Sequence, residues 1–123
     1  MSKNTFSQQI TFLHAENLET TQYFYTNLLG LPIVRDQGKC IIFKSTENAF
    51  LGFCEHIEPI SHGRRVILTL VDDDVEGWYQ VLSAKGAIIE GPPKSNQQYQ
   101  IFHFFLKDPN GYWIEIQRFN EPL

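Results

Sequence analysis

Few residues of this chain could do chemistry, and Glu115 is the most telling. It interrupts an apolar run, Tyr112–Gln117 (YWIEIQ). A carboxylate inside such a strand faces either water or a cavity. In a closed apolar core an unpaired carboxylate is costly and is driven toward its neutral form. Glu115 should therefore have a partner, a water-filled cavity or a ligand. In a cavity it could act as a general base, or bind a cation or a ligand hydroxyl. The other candidates are His14, His56, His62 and His103, and the cysteines Cys40 and Cys54. Each histidine also reads as a surface or hydrogen-bonded residue. The cysteines lie in apparent strands and form no C-x-x-C pair, so they read as reduced, packed thiols. No Ser-His-Asp set, Gly-rich phosphate loop or Cys nucleophile context points to another chemistry.

These residues are positioned by elements that can be read along the chain. Asp108-Pro109-Asn110-Gly111 is a turn signal: Pro109 presets φ and Asn110-Gly111 tolerates positive φ. Gln97–Leu106 and Tyr112–Gln117 on either side read as a β-hairpin. Upstream, Gln9–Ala15 is extended and Asn17 caps a helix over Leu18–Leu29. Leu18, Tyr25, Leu28 and Leu29 form the apolar stripe of that helix. Gly30 and Pro32 end it. Short strands follow at Ile33–Asp36, Cys40–Lys44 and Phe50–Cys54. A connector, His56–Gly63, leads to a strand at Val66–Val71. Asp73 or Asp74 caps a second helix, Val75–Lys85, which Gly86 ends. Ala87–Glu90 is a strand, and Gly91-Pro92-Pro93 is a break.

The order is thus β-α-β-β-β, twice. Asn17-Leu18-Glu19 matches Asp74-Val75-Glu76, Gly30 matches Gly86, and Leu51-Gly52-Phe53 matches Ile114-Glu115-Ile116. A period of about 57 residues is too long for a solenoid unit and suits a duplicated α+β module. We expect one domain over residues 1–123, built from modules at 7–56 and 64–120.

The chain has 123 residues, the usual size of a single domain. Ten Phe, five Tyr and two Trp supply a large core, each fully buried ring being worth roughly 1.5–3 kcal/mol. Net charge is −4, and only Arg64-Arg65 breaks the scatter of basic residues. That argues against nucleic-acid binding, which needs a basic face. No run of about twenty apolar residues could span a membrane, and the polar N-terminus lacks a signal-peptide core. A cytoplasmic protein is expected.

Asn17-Leu18-Glu19 leading into Tyr23-Phe24-Tyr25 and Leu29-Gly30-Leu31, Asp73-Asp74-Val75 with Gly86, and Asp108-Pro109-Asn110-Gly111 with Ile114-Glu115-Ile116 together resemble the vicinal oxygen chelate superfamily, which includes glyoxalases, bleomycin-resistance proteins and extradiol dioxygenases. The resemblance covers essentially the whole chain. It implies an α+β fold of two βαβββ modules whose curved mixed sheets enclose a cavity, paired within one chain or across a homodimer. It also implies a divalent metal in the family's enzymes, held by His or Gln on the first strand of each module and Glu on the last.

At those four positions this chain has Ile10, Gly52, Ile67 and Glu115. A one-residue slip would offer Gln9, but strand alternation argues against it. One carboxylate is too few for a transition metal, since catalytic zinc uses about three protein ligands and non-haem iron two His and a carboxylate. We therefore expect no cofactor. A divalent metal, if held at all, would use Glu115 with His14. Phe104 is expected opposite Glu115, which would put His103 on the other face.

Alternation places Ile10, Phe12, His14, Ile67, Thr69, Trp113, Glu115 and Gln117 toward the cavity, with Phe102 and Phe104 able to join them. Apolar walls with a few polar groups are the usual makeup of a small-molecule pocket; the same aromatics could instead simply fill the core. Tyr23, Tyr25, Trp78 and Tyr79 read as helix packing. The expected function is non-covalent binding of a small, partly aromatic or amphipathic molecule. The alternatives are a divalent-metal lyase, isomerase or dioxygenase, and a non-catalytic interaction module.

Overall fold

The computed structural model describes residues 5–58 and 66–123. His62 and Arg64-Arg65, with the second half of the expected connector, lie outside the described residues. The chain divides into two compact units, 1–60 and 61–123. Each is an α+β module with a curved mixed sheet.

In the first unit, β1 (Gln9–His14) leads into α1 (Leu18–Tyr23), followed by β2 (Ile33–Asp36), β3 (Cys40–Thr46) and β4 (Ala49–Cys54). Asn17 is extended (φ −143°) and its side chain accepts from the Thr20 N–H, so the helix starts where the cap predicts. The helix does not stay α-helical to residue 29. Phe24–Leu28 widen into a π-helical turn, and the Leu29 N–H reaches the Phe24 carbonyl, five residues back. Gly30 (φ +72°) then reverses the chain at the expected place. The strands lie in the order β1-β4-β3-β2, with β1 parallel to β4 and the other pairs antiparallel.

One face of this sheet packs on the helix. Tyr25, fully buried, stacks between Phe43 and Phe53, with ring centroids 5.5 and 4.5 Å away. Leu13, Ala15, Leu28, Leu29, Ile41 and Leu51 complete the core. Tyr23, expected to pack, is exposed because it sits on the outer side of the helix.

The second unit repeats the plan with β5 (Ile67–Val71), α2 (Val75–Ala84), β6 (Ile88–Ile89), β7 (Lys94–Asn96), β8 (Ile101–Lys107) and β9 (Trp113–Phe119). Its order is β5-β9-β8-β6, with β7 also paired to β8. Asp74 caps α2 by accepting from the Gly77 N–H at 2.9 Å. Glu76 in the first turn of α2 bonds Arg118 of β9 at 2.9 Å. Its own backbone N–H, and then the Arg118 guanidinium, hold its carboxyl below the usual carboxylate range. Val75 and Leu82 are fully buried where α2 packs on β8 and β9, whose Phe104, Leu106, Ile114 and Ile116 are buried too.

Two sequence expectations fail here. β7 carries only polar residues and gave no alternation to read. The strand expected from Gln97 begins at Ile101, because Gln97–Gln100 form a turn: Gln100 has φ +58° and Asn96 Oδ1 accepts from the Tyr99 N–H.

Candidate functional site

The turn between β8 and β9 decides what surrounds Glu115. Asp108 is buried, and one of its carboxylate oxygens accepts from the N–H groups of Asn110 and Tyr112, both at 2.8 Å. Gly111 takes φ +87°. The Asp108 N–H bonds the Tyr112 carbonyl, so the loop holds three residues, 109–111. A two-residue loop would have paired Phe104 with Glu115. With the third residue Phe105 is the partner, and every side chain of β8 changes face relative to that expectation.

Three placements are corrected by this shift. His103 shares the face of Glu115. Phe104 packs against Tyr79 of α2, with ring centroids 5.5 Å apart. Phe102 also lies on the helix side, beneath the Arg118 guanidinium, 4.5 Å from its ring.

On the helix-free face of this sheet Glu115 is the centre of a polar cluster. Thr69, its partner on parallel β5, donates to Oε1 at 2.8 Å. His103 donates from Nδ1 to Oε2 at 2.6 Å, since a carboxylate can only accept. Gln117, with its amide nitrogen toward the carboxylate, donates at 3.0 and 3.3 Å. Glu115, His103 and Gln117 are all buried. The charge therefore finds within the fold the partner that the sequence demanded. Ile67, Phe105 and Trp113 flank it on the same face. Phe105 meets His103 and Trp113 edge to face at 5.2 and 6.0 Å. Glu90, Gly91, Pro92, Lys94, His103 and Phe105 border a recess of about 270 Å³.

A carboxylate that fixes Nδ1–H of a histidine leaves Nε2 with its lone pair, able to take a proton or a metal.

The helix-free face of the first sheet is apolar at the matching positions. Ile10 and Phe12 are 42% and 45% exposed. The Phe12 ring lies directly over Gly52, where a Cβ would stand only 2.4 Å from it. A carboxylate at this position would have no room. Ile10, Ile42, Phe50, Val34 and Arg35 line a recess of about 410 Å³ with Phe12. His14, at the end of β1, donates from Nδ1 to the Ile57 carbonyl at 2.6 Å, and its Nε2 lies 3.2 Å from Glu16. Of the four positions at which the family resemblance implies metal ligands, three carry no donor atom. The residues do not fit that metal set.

The cysteines are also corrected. Cys40 and Cys54 face each other across β3 and β4, with Cα atoms 4.1 Å apart, and are joined as a disulfide. Sequence reasoning missed this pair because β-strand register, not chain spacing, brings the two side chains together. It missed Phe105 through the one-residue loop difference; the Asp-Pro-Asn-Gly run with Gly111 last is the signal that could have revealed it.

A family model for the Glyoxalase/Bleomycin resistance protein/Dioxygenase superfamily matches residues 9–116. Among solved structures the chain is similar to a glyoxalase/bleomycin resistance protein/dioxygenase from Nocardioides, at 17% identity and a TM-score of 0.79, covering 98% of this chain and 87% of that one. It is similar to TnmS3, an antibiotic binding protein from Streptomyces sp. CB03234, at 19% identity and a TM-score of 0.78, covering 95% and 98%. It is also similar to lactoylglutathione lyase from Agrobacterium tumefaciens, at 20% identity and a TM-score of 0.73, covering 94% and 96%. Likenesses at these identities establish the fold. No curated protein matches the sequence. Among the described residues no helix is long and apolar enough to cross a membrane.

Proposed function

We propose that this chain, which belongs to the glyoxalase/bleomycin resistance protein/dioxygenase superfamily, binds a small, partly aromatic or amphipathic molecule without covalent chemistry and without the family's usual metal. One observation carries the reading. The helix-free face of the first sheet leaves Ile10 and Phe12 more than 40% exposed, and that of the second leaves Ile67 equally open on the face of a carboxylate already satisfied by Thr69, His103 and Gln117. Apolar area left open to water is stabilised by a ligand that covers it. A few fixed polar groups then orient that ligand. The antibiotic-binding neighbour has the same fold and supports a binding role.

A thermal-shift screen of aromatic and glycopeptide-like compounds tests this. A ligand at a hundredfold excess over its Kd adds about 2.7 kcal/mol of stability. Phe12→Ala or Trp113→Ala should reduce the shift given by any hit. If no compound raises the melting temperature, the chain is better read as an interaction module.

The pairing of His103 with Glu115 favours a second reading, a divalent-metal lyase, isomerase or dioxygenase with an irregular ligand set, because two donors share the face where the sequence promised one. Titration of purified protein with nickel, zinc, manganese and iron(II) separates the two. Stoichiometric uptake abolished by His103→Ala would overturn the metal-free reading in favour of the second. A homodimer and a cytoplasmic location belong to the leading proposal. Light scattering checks the first and cell fractionation the second. The cytoplasm would keep Cys40 and Cys54 reduced.

A further inference from the structure

The helix-free face of the first sheet ends in a cluster of soft donors remote in sequence from Glu115. Cys40 and Cys54 are direct cross-strand partners, both buried. His56, exposed and two residues beyond β4, brings Nδ1 to 3.8 Å from Cys40 Sγ. The three donor atoms lie within 4.8 Å of one another. Among the described residues no other group of three His, Cys, Asp or Glu donors is so placed.

We propose that the reduced chain binds one zinc ion through the thiolates of Cys40 and Cys54 and Nδ1 of His56. Zn–S bonds of 2.3 Å and Zn–N bonds of about 2.1 Å arranged tetrahedrally put sulfur about 3.6 Å from nitrogen and the two sulfurs about 3.8 Å apart. The observed 3.8 Å between His56 Nδ1 and Cys40 Sγ is close to the first of these edges. Opening the disulfide and turning the two side chains about Cα–Cβ supplies the second while the strands stay paired. Thiolate and imidazole donors suit zinc better than hard oxygen-seeking cations. Two ligands are buried and the third is at the surface, so the fourth position faces solvent and is filled by water, as in open zinc sites.

The same sulfurs cannot serve both states, so the disulfide and the zinc site exclude each other. Reduction by an external dithiol transfers two electrons and two protons. The dithiol becomes a disulfide, and Cys40 and Cys54 become thiols. Zinc binding then releases both thiol protons to solvent.

The test uses the full chain, oxidised and after reduction with the reductant removed anaerobically. Zn²⁺ is titrated against a competing chelator, and Co²⁺ serves as a spectroscopic substitute reporting thiolate ligation. The proposal expects one equivalent of zinc in the reduced chain and less than a tenth of that in the oxidised chain. Cys54→Ser should abolish binding. His56→Ala, at an exposed site where folding is not at stake, should weaken it at least tenfold. The proposal is overturned if the reduced chain binds zinc no more tightly than the oxidised chain, or if His56→Ala leaves the affinity unchanged.

Discussion

Glu115 and His103 show how one hydrogen bond can organise a site. The imidazole N–H, the Thr69 hydroxyl and the Gln117 amide surround a buried carboxylate, and each donor offsets part of its desolvation. Removing a donor leaves an acceptor short of partners, which costs about 1–3 kcal/mol. His103→Ala should therefore lower the unfolding free energy by about that amount, measured by urea denaturation. Glu115→Gln should cost less, because the amide is neutral and its oxygen can still accept. If His103→Ala is as stable as the parent chain, the pair contributes orientation and not stability. Glu115 was legible in the sequence because a lone charge in an apolar strand demands an explanation. His103 was not, because its face depends on a single loop residue.

At the scale of elements, local chemistry wrote most of the outcome. Asn17 and Asp74 start the two helices by capping, and Gly30 and Gly86 end them at positive φ. Gly77 shows how closely a cap can constrain its helix. A Cβ there would collide with the Asp74 carboxylate, standing 2.8 Å from the oxygen that forms the cap and closer still to the other. Alanine normally gains about 0.8–1.0 kcal/mol over glycine in a helix interior, whereas losing a cap costs about 0.5–2 kcal/mol. Gly77→Ala should consequently fail to stabilise the protein and should lower its thermal midpoint. A rise of several degrees would show that Asp74 can cap from another rotamer. The π-helical turn at Phe24–Leu28 had no such local signal. It places Tyr25 between Phe43 and Phe53, an arrangement set by packing.

For the whole molecule, the repeat is the governing fact. Two units on the βαβββ plan, the second with the short extra strand β7, arise from two similar patterns, and they diverge where the chemistry lies. Thr69, Glu115 and Gln117 stand in the second unit where Phe12, Gly52 and Cys54 stand in the first. The Cys40–Cys54 bond closes a loop with a sequence separation of 14. Closing a loop of that length restricts the unfolded chain by about 3 kcal/mol. Dithiothreitol should therefore shift the urea transition to lower concentration by an amount corresponding to about 2–3 kcal/mol. An unchanged transition would mean that the reduced strands hold their register without help from the bond.

By itself the sequence determined the order of the elements apart from β7, the duplication, the helix caps, the place of the Asp108–Gly111 turn, and the need for a partner at Glu115. These follow from interactions between residues a few positions apart, where side-chain type alone chooses the backbone conformation. Tertiary structure alone decided that His103 and Phe105, not Phe104, accompany Glu115, that the Phe12 ring covers Gly52, and that Cys40 meets Cys54. Those contacts depend on strand register, and in a sheet one residue of register exchanges the two faces.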